Sequence, residues 1–289
     1  MKKKDTLSTA AFLAPAVLLL LVFVFYPIVK TIYTSFHLTD VSGGSSVFVG
    51  FDNYITLFKN TAFQKSTLMT LVFVFAVTVL TIVLSLAMAN FAAKKLRGAG
   101  FFKTVFSSTM GVSISVGAVL WLFIFNPTAG PLAKILALMN LPVSNVLSTP
   151  SGAMLAVVIS TVWLNLGFAF LILLGAIQSL PSHLYECAEI EGLTSRYQFF
   201  HITLPMISPT LFFVVVVTVI DAFKGFGLID LMTAGGPDNT TNFLVYKIYQ
   251  DAFISGDYAT ASAESIVLAT IIGIFTMLQF KVLEKRVTY

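Results

Sequence analysis

The amino-acid sequence predicts an all-α membrane protein whose chain crosses the bilayer six times. Hydrophobic residues make up 57% of its 289 residues, and charged residues make up only 10%. Several apolar runs are long enough to cross the hydrocarbon core of a bilayer, which takes roughly 20 helical residues. A soluble core could not bury this much apolar sequence, which excludes a soluble globular protein.

Six apolar runs define the predicted spans, and charged or turn-forming residues separate them. The spans are expected at about residues 7–32, 67–93, 104–125, 153–177, 209–231 and 259–280. Pro15 and Pro27 fall near the two ends of span one, where a missing amide donor is tolerated. Span two ends at Lys94, and the FNPTAGP segment after span three breaks the helix through its prolines and glycine.

Shorter elements are predicted in the connections between the spans. Four residues after span one recur at helical spacing: Phe51, Tyr54, Ile55 and Phe58. This spacing predicts a short helix on the membrane surface. A second short apolar helix is expected from Leu132 to Met139, whereas NFLVYKIYQDAF before span six shows at most a weak helical pattern.

The distribution of positive charge predicts the orientation of the chain. Eleven of the 17 Lys and Arg residues fall on the side that holds both termini, five fall on the opposite side, and Lys224 lies inside span five. Because cytoplasmic loops carry an excess of Lys and Arg, we expect both termini and the loop 178–208 to be cytoplasmic. Residues 1–289 are predicted to form a single transmembrane domain.

The loop 178–208 is a polar segment between two apolar spans, and it is called the polar loop below. Ser182 is a good N-cap and Gly192 a good helix-ending residue, so the nine residues between them predict a helix. Such a helix is roughly 14 Å long at about 1.5 Å per residue. Glu186 and Glu189 share one of its faces. Spacing alone favours an amphipathic connector with a solvated charged face.

The polar loop carries two short motifs, Glu186-Cys187-Ala188 followed by Gly192, and Ile202-Thr203-Leu204-Pro205. Together they resemble the signature cytoplasmic loop of permease subunits of binding-protein-dependent ABC importers. In that family the pattern is Glu-Ala-Ala, then Gly, then Ile-x-Leu-Pro. This sequence departs from it at Cys187, one small residue for another, and at Glu191, where Asp is usual.

The resemblance implies the type I ABC importer permease fold in a bacterial cell membrane. The expected partners are a second homologous permease, two cytoplasmic ATPase subunits, an extracytoplasmic solute-binding protein and the lipid bilayer, with no nucleic acid. It also implies that the loop helix docks on the ATPase through Glu186, Ala188, Glu189, Gly192, Leu204 and Pro205. By this interpretation Glu186 pairs with a basic residue of the ATPase, and Gly192 sets the docking angle.

Other segments of the chain are similar to the carbohydrate-uptake branch of this family. They are LWLFIFNPTAGPL, MTAGGPDNTTNFLVYKIYQDAF and FVGFDNYITLF, and they most resemble the first permease subunit of glycerol-3-phosphate importers. The resemblance implies a sugar or glycerol-3-phosphate-like solute. Gly235-Gly236-Pro237 is similar to an external turn of the family, which would face the binding protein. The alternative for these three residues is simply a tight turn.

Four polar residues inside the spans are candidates for the substrate pathway: Asn165, Asp221, Lys224 and Glu264. Such groups are expensive in a membrane and usually face a bundle interior or a water-filled path. Asp221 and Lys224 stand at i and i+3, close enough on a helix to pair. They are therefore either path residues or an internal neutral pair that fixes helix packing.

Two other function classes compete with the importer permease. A self-sufficient secondary transporter, driven by an ion gradient, needs no ATPase. An intramembrane enzyme lacks support, because no His-Glu-x-x-His, Gly-x-Ser-x-Gly or P-loop motif is present. We therefore expect no catalytic residue, metal site or cofactor in this chain, with ATP and Mg²⁺ bound by the partner ATPase.

Overall fold

The computed structural model describes residues 12–40, 44–93, 99–140, 142 and 145–283. Its helices are α1 (Phe12–Ser35), α2 (Asp52–Lys59), α3 (Thr61–Ala93), α4 (Ala99–Ser107), α5 (Ile114–Phe125), α6 (Pro131–Leu138), α7 (Pro150–Gln178), α8 (Ser182–Ile190), α9 (Ser195–Met206), α10 (Ser208–Phe223), α11 (Gly227–Met232), α12 (Leu244–Tyr249) and α13 (Tyr258–Leu283). The strands β1 (His37–Thr39) and β2 (Ser45–Phe48) form an antiparallel pair. Several charges behind the predicted orientation lie outside the described residues: Lys2, Lys3, Lys4, Lys94, Lys95, Arg97, Lys285 and Arg286.

One of two structural units contains residues up to Gln64 together with Lys247–Thr270. In it, α2 is anchored by polar contacts to the end of α1. The Asn53 side chain donates to the carbonyl oxygens of Ser35 and His37 at 2.8 and 3.1 Å. The opposite face of α2 exposes the apolar residues Phe51, Ile55 and Phe58. The predicted short helix is therefore present, but the fourth residue of its predicted stripe, Tyr54, is half-buried and bonds the Ser35 hydroxyl at 2.7 Å.

The second unit contains Lys65–Tyr246 and the chain from Ile271 onward, and α7 is its most buried long helix. Small and medium residues of α7 pack against α3 and α10 around Ala89, Leu173 and Val214. A second cluster joins α5, α7 and α11 around Ala118 and Leu228. These contacts hold α7 and α10, the helices that precede and follow the polar loop, in the core of this unit.

Four described helices are long and apolar enough to cross a membrane, or six spans result if each of two bent helix pairs counts as one. The four single helices overlap predicted spans one, two, four and six: they are Phe12–Ser35, Thr61–Ala93, Pro150–Gln178 and Tyr258–Lys281. The first residues of predicted span one, 7–11, lie outside the described residues.

The helical path differs from the prediction at span three. In place of one helix over 104–125, two helices meet at 109°. The reason is local, because Val112 and Ser113 are extended and the Ser113 hydroxyl accepts a hydrogen bond from the Val116 amide at 3.3 Å. Ser113 thus caps the start of α5 and interrupts an otherwise continuous apolar run.

Span five is also shorter as a helix than the predicted 209–231. Helix α10 ends at Phe223, and the separate helix α11 begins at Gly227. The segment predicted to be weakly helical is ordered as α12 and a π-helical turn, Gln250–Ile254. Tertiary packing explains part of this order, because the Thr70 hydroxyl accepts the Leu244 amide hydrogen at 2.9 Å.

Candidate functional site

The helix of the polar loop forms close to where the sequence predicts it. Helix α8 has nine residues, Ser182–Ile190, and Pro181 occupies the N-cap. The prediction of Ser182 as the N-cap is therefore wrong by one residue. Pro181 has an extended backbone and makes no side-chain capping hydrogen bond, and the helix begins at the next residue. Since helix ends commonly shift by a residue or two, the position of the helix is unaffected.

Gly192 ends α8 in a Schellman motif. Its φ is +72°, and its amide donates to the Glu189 carbonyl at 3.0 Å. The Leu193 amide donates to the Ala188 carbonyl at 2.9 Å, which completes the motif. No atom lies within 4 Å of the place where a Cβ would stand. Glycine is therefore required here by backbone conformation and not by lack of space.

We expect Gly192→Val to fray the end of α8, because a β-branched residue fits the left-handed region poorly. The cost of a non-glycine residue there is about 1–2 kcal/mol, and Asn suffers less of it. Hydrogen exchange at the Leu193 amide measures the effect: it should speed up in Gly192→Val and less in Gly192→Asn. Equal protection in both variants and in the native chain would contradict the motif.

Both acidic residues predicted to contact a partner are accessible on α8. Glu186 and Glu189 are exposed and form no ion pair with any residue that the structure describes. They line a cleft of about 980 Å³. The other walls of the cleft come from α3, α4, α7, the turn after α7, and α9: Asn90, Ala93, Lys103, Ile177, Gln178, Leu180, Ser195, Arg196, Gln198, Phe199, Phe200 and Thr203, with Ser182 and Tyr185 of α8. The two carboxylates are thus free to pair with basic groups of another chain.

The other predicted docking residues have a different environment. Ala188 is only 4% exposed, so it packs α8 against its own chain. Leu204 and Pro205 are half-buried in the last turn of α9, just before the 72° bend into α10. Ala188 is thus turned toward its own chain, and the surface open to a partner is the acidic face of α8.

Three of the four predicted path residues, Asn165, Asp221 and Lys224, belong to the second unit. Asn165 is half-buried in α7, and Asp221 and Lys224 are exposed at the end of α10. The alternative of an Asp221–Lys224 pair is wrong for this structure, because the only ion pairs among the described residues involve Lys247. Lys224 is the C-cap of α10, and its amide still donates to the Ile220 carbonyl at 3.3 Å. Glu264 belongs to the first unit.

Glu264 is fully buried and belongs to an ionic cluster. Lys247 Nζ lies 2.9 Å from Glu264 Oε1 and 2.5 Å from Asp251 Oδ2. Burial lowers the pKa of Lys247, but hydrogen bonds and charges from Asp251 and Glu264 outweigh this effect and raise that pKa above its ordinary value. Lys247 therefore keeps its proton at neutral pH. Sequence reasoning missed this cluster, although Lys247 and Asp251 stand at i and i+4.

The predicted external turn is tightly folded. Gly235 is buried with φ +82°, and a Cβ there would stand 3.1 Å from the Tyr246 ring. The Thr241 hydroxyl donates to the Gly236 carbonyl at 2.8 Å. Lys65 binds the carbonyl of Asp238, so the turn is also tied to α3. The exposed tip is formed by the neighbours of the predicted residues: Ala234, Asp238 and Asn239.

The sequence matches known proteins over almost its full length. A family model described as "Binding-protein-dependent transport system inner membrane component" matches residues 81–289. The chain is 35% identical to the sn-glycerol-3-phosphate transport system permease protein UgpA of Agrobacterium fabrum over 277 residues, covering 96% of this chain and 94% of the relative. It is 36% identical to the UgpA protein of Shigella flexneri with the same coverage.

Solved structures share its fold. A chain of a bacterial ABC transporter that imports the acidic polysaccharide alginate superimposes with a TM-score of 0.83 at 23% identity, covering 98% of this chain and 96% of that one. A chain of the alginate transporter in complex with its alginate pentasaccharide-bound periplasmic protein gives a TM-score of 0.81 at 24% identity, with 96% and 93% coverage. The chain belongs to the family of binding-protein-dependent transport system inner membrane components, and it is a multi-pass permease subunit of a bacterial ABC importer in the inner membrane.

Proposed function

We propose that this permease forms half of the translocation pathway for glycerol-3-phosphate or a related sugar-like solute. A second homologous permease forms the other half, two separate ATPase subunits bind and hydrolyse ATP with Mg²⁺, and an extracytoplasmic binding protein delivers the solute. The transmembrane domain covers residues 1–289 and spans the membrane six times with both termini cytoplasmic. Counting each bent helix pair as one span supports that number.

The exposed acidic face of α8 is the observation that carries the coupling role. ATPase closure has to move spans that never touch nucleotide, so a short helix with fixed ends is needed as a lever. Glu186 and Glu189 are accessible without a described ionic partner, and Gly192 fixes the end of their helix. Ala188 packs this helix against its own chain, and Leu204 and Pro205 complete the proposed docking loop.

Co-purification and reconstitution test the proposal. A tagged chain expressed with its genomic neighbours should recover a second permease and an ATPase, and liposomes containing this complex should accumulate solute only with ATP and binding protein. A stable homo-oligomer that transports solute along an ion gradient without an ATPase would defeat it. The ligand retained by the cognate binding protein distinguishes glycerol-3-phosphate from an oligosaccharide.

The substrate path is proposed to include Asn165 and the break in span five at Asp221 and Lys224. A charged ammonium or carboxylate group is costly where it contacts lipid. We therefore expect Lys224 and Asp221 to face water or a partner permease. The exposed turn beside Gly235, Gly236 and Pro237 is proposed to face the binding protein. Full burial and the ion pair with Lys247 favour a packing role for Glu264 instead.

We expect Lys224→Met to weaken uptake of a phosphate-bearing solute by raising KM about tenfold, the effect of losing roughly 1.4 kcal/mol of binding. Lys224→Arg keeps the positive charge and is the matched control. The measurement is KM for ATP-driven uptake of glycerol-3-phosphate by the reconstituted complex. An unchanged KM in Lys224→Met would remove this residue from the path.

A further inference from the structure

Helices α8 and α9 are joined by a hydrogen bond between two hydroxyl groups. Tyr185 Oη and Thr203 Oγ1 lie 2.9 Å apart. Thr203 is only 3% exposed and Tyr185 is half-buried, and both residues line the cleft beside α8. Removing one hydroxyl of a part-buried hydrogen bond is costly, because the other hydroxyl then loses its partner.

The turn between the two helices is held by the Schellman hydrogen bonds of the Gly192 and Leu193 amides. Gly192 has no neighbouring atom within 4 Å of a Cβ position. The Gln198 side chain donates to the Leu193 carbonyl at 3.1 Å, which holds the end of the turn to α9. The angle between α8 and α9 is therefore set at two points, the turn itself and the bond from Tyr185 to Thr203.

The far end of α9 leads into the core of the second unit. Ile207, between α9 and α10, is 1% exposed and packs in the cluster that contains Leu173 and Val214. A continuous path thus runs from α8 through Thr203 to the membrane helices. Without the hydroxyl pair, only the turn at Gly192, the Gln198 bond and the packing of Ala188 hold the angle between α8 and α9.

We propose that the Tyr185–Thr203 hydrogen bond is a strut that makes α8 and α9 move as one lever, so that ATP hydrolysis stays coupled to transport. Tyr185 and Thr203 are positioning residues, because they act through α8 and not by touching solute or nucleotide. This inference rests on the coupling role proposed for α8, and it adds the residues that determine coupling efficiency.

The test compares variants that remove single hydroxyl groups from the complete transporter. Tyr185→Phe and Thr203→Val each delete one partner of the bond, and Thr203→Ser keeps it. Tyr197→Phe is the matched control, since its hydroxyl forms no hydrogen bond with the described residues and lies on the same loop. Glycerol-3-phosphate uptake and ATP hydrolysis are measured together in proteoliposomes, and recovered ATPase subunit reports assembly.

We expect Tyr185→Phe and Thr203→Val to lower the solute transported per ATP about fivefold, the effect of losing one part-buried hydrogen bond. The double variant should be no worse than Thr203→Val alone, which already loses this bond together with a 3.5 Å bond to the Gln198 carbonyl. Thr203→Ser and Tyr197→Phe should couple normally, and all variants should assemble. A native ratio of solute transported per ATP in Tyr185→Phe would contradict the proposed role of this hydrogen bond. A double variant whose loss is the product of the two single losses would contradict it as well.

A spectroscopic measurement separates failure of the strut from failure of the proposed function. Cys187 is the single cysteine of the chain, and it is exposed on α8, so a nitroxide label there reports motion of this helix. Label mobility in the purified chain should rise in Tyr185→Phe and stay native-like in Tyr197→Phe. Unchanged mobility of the label in Tyr185→Phe contradicts the proposed role of the hydrogen bond, even where no ATP-driven uptake is found.

Discussion

Replacing Glu186 with Lys is expected to lower ATP-driven uptake and solute-stimulated ATP hydrolysis by about tenfold or more. Charge reversal puts like charges together at the interface with the ATPase, which costs several kcal/mol of binding free energy. Each loss of about 1.4 kcal/mol weakens binding by a factor of ten. Glu186 is exposed and has no ionic partner among the described residues, so the folded permease itself should tolerate the change.

The matched control for this change is Glu186→Asp, which keeps the carboxylate on the same face of α8. Uptake, ATP hydrolysis and recovery of the ATPase are measured in the same preparation, so that loss of docking is distinguished from loss of permease. If Glu186→Lys transports and stimulates hydrolysis at native levels, the role assigned to Glu186 is wrong.

The second large effect is expected at the buried ionic cluster. Lys247→Met should destabilise the permease by about 3–5 kcal/mol, because it leaves the carboxylate of Glu264 buried without its partner. Asp251 should suffer less, since its side chain is 22% exposed and can be hydrated. Lys59→Met is the control, because Lys59 is exposed in the same unit.

The double variant Lys247→Met/Glu264→Leu provides the stricter test. Replacing both buried charges with apolar residues leaves no uncompensated charge. The double variant should therefore regain most of the stability that Lys247→Met loses. Thermal unfolding of the detergent-purified protein measures all variants. A Lys247→Met protein as stable as the native one, or a double variant less stable than the single one, would contradict the proposed role of this pair.

The sequence predicted the helix of the polar loop well because its signals are local. Gly192 ends α8 through a backbone conformation that a glycine adopts at little cost, and this preference is visible without any tertiary contact. The apolar spans were predictable for a similar reason, since a long run of apolar side chains is needed to cross the bilayer.

The breaks in spans three and five could not be found from hydropathy alone. Ser113 and Gly225 interrupt the helices within runs that remain strongly apolar, so hydropathy favours continuity. A serine before an apolar run and two nearby glycines, Gly225 and Gly227, were the available signals.

Long-range contacts were the least predictable part of the candidate site. Lys247 and Glu264 lie on separate helices, and their pairing depends on how α12 and α13 fold together within the first unit. Tyr185 and Thr203 are likewise separated by the turn at Gly192, so their hydrogen bond is visible only in three dimensions.

The accessibility of Cys187 offers a simple test of docking on α8. This thiol is the single cysteine of the chain and lies beside Glu186 on the exposed helix. The rate of maleimide labelling is compared between the assembled transporter and the permease stripped of its ATPase. We expect the assembled transporter to protect Cys187 strongly, and Glu186→Lys to remove this protection. Equal labelling rates with and without a bound ATPase would show that α8 is not where the ATPase docks.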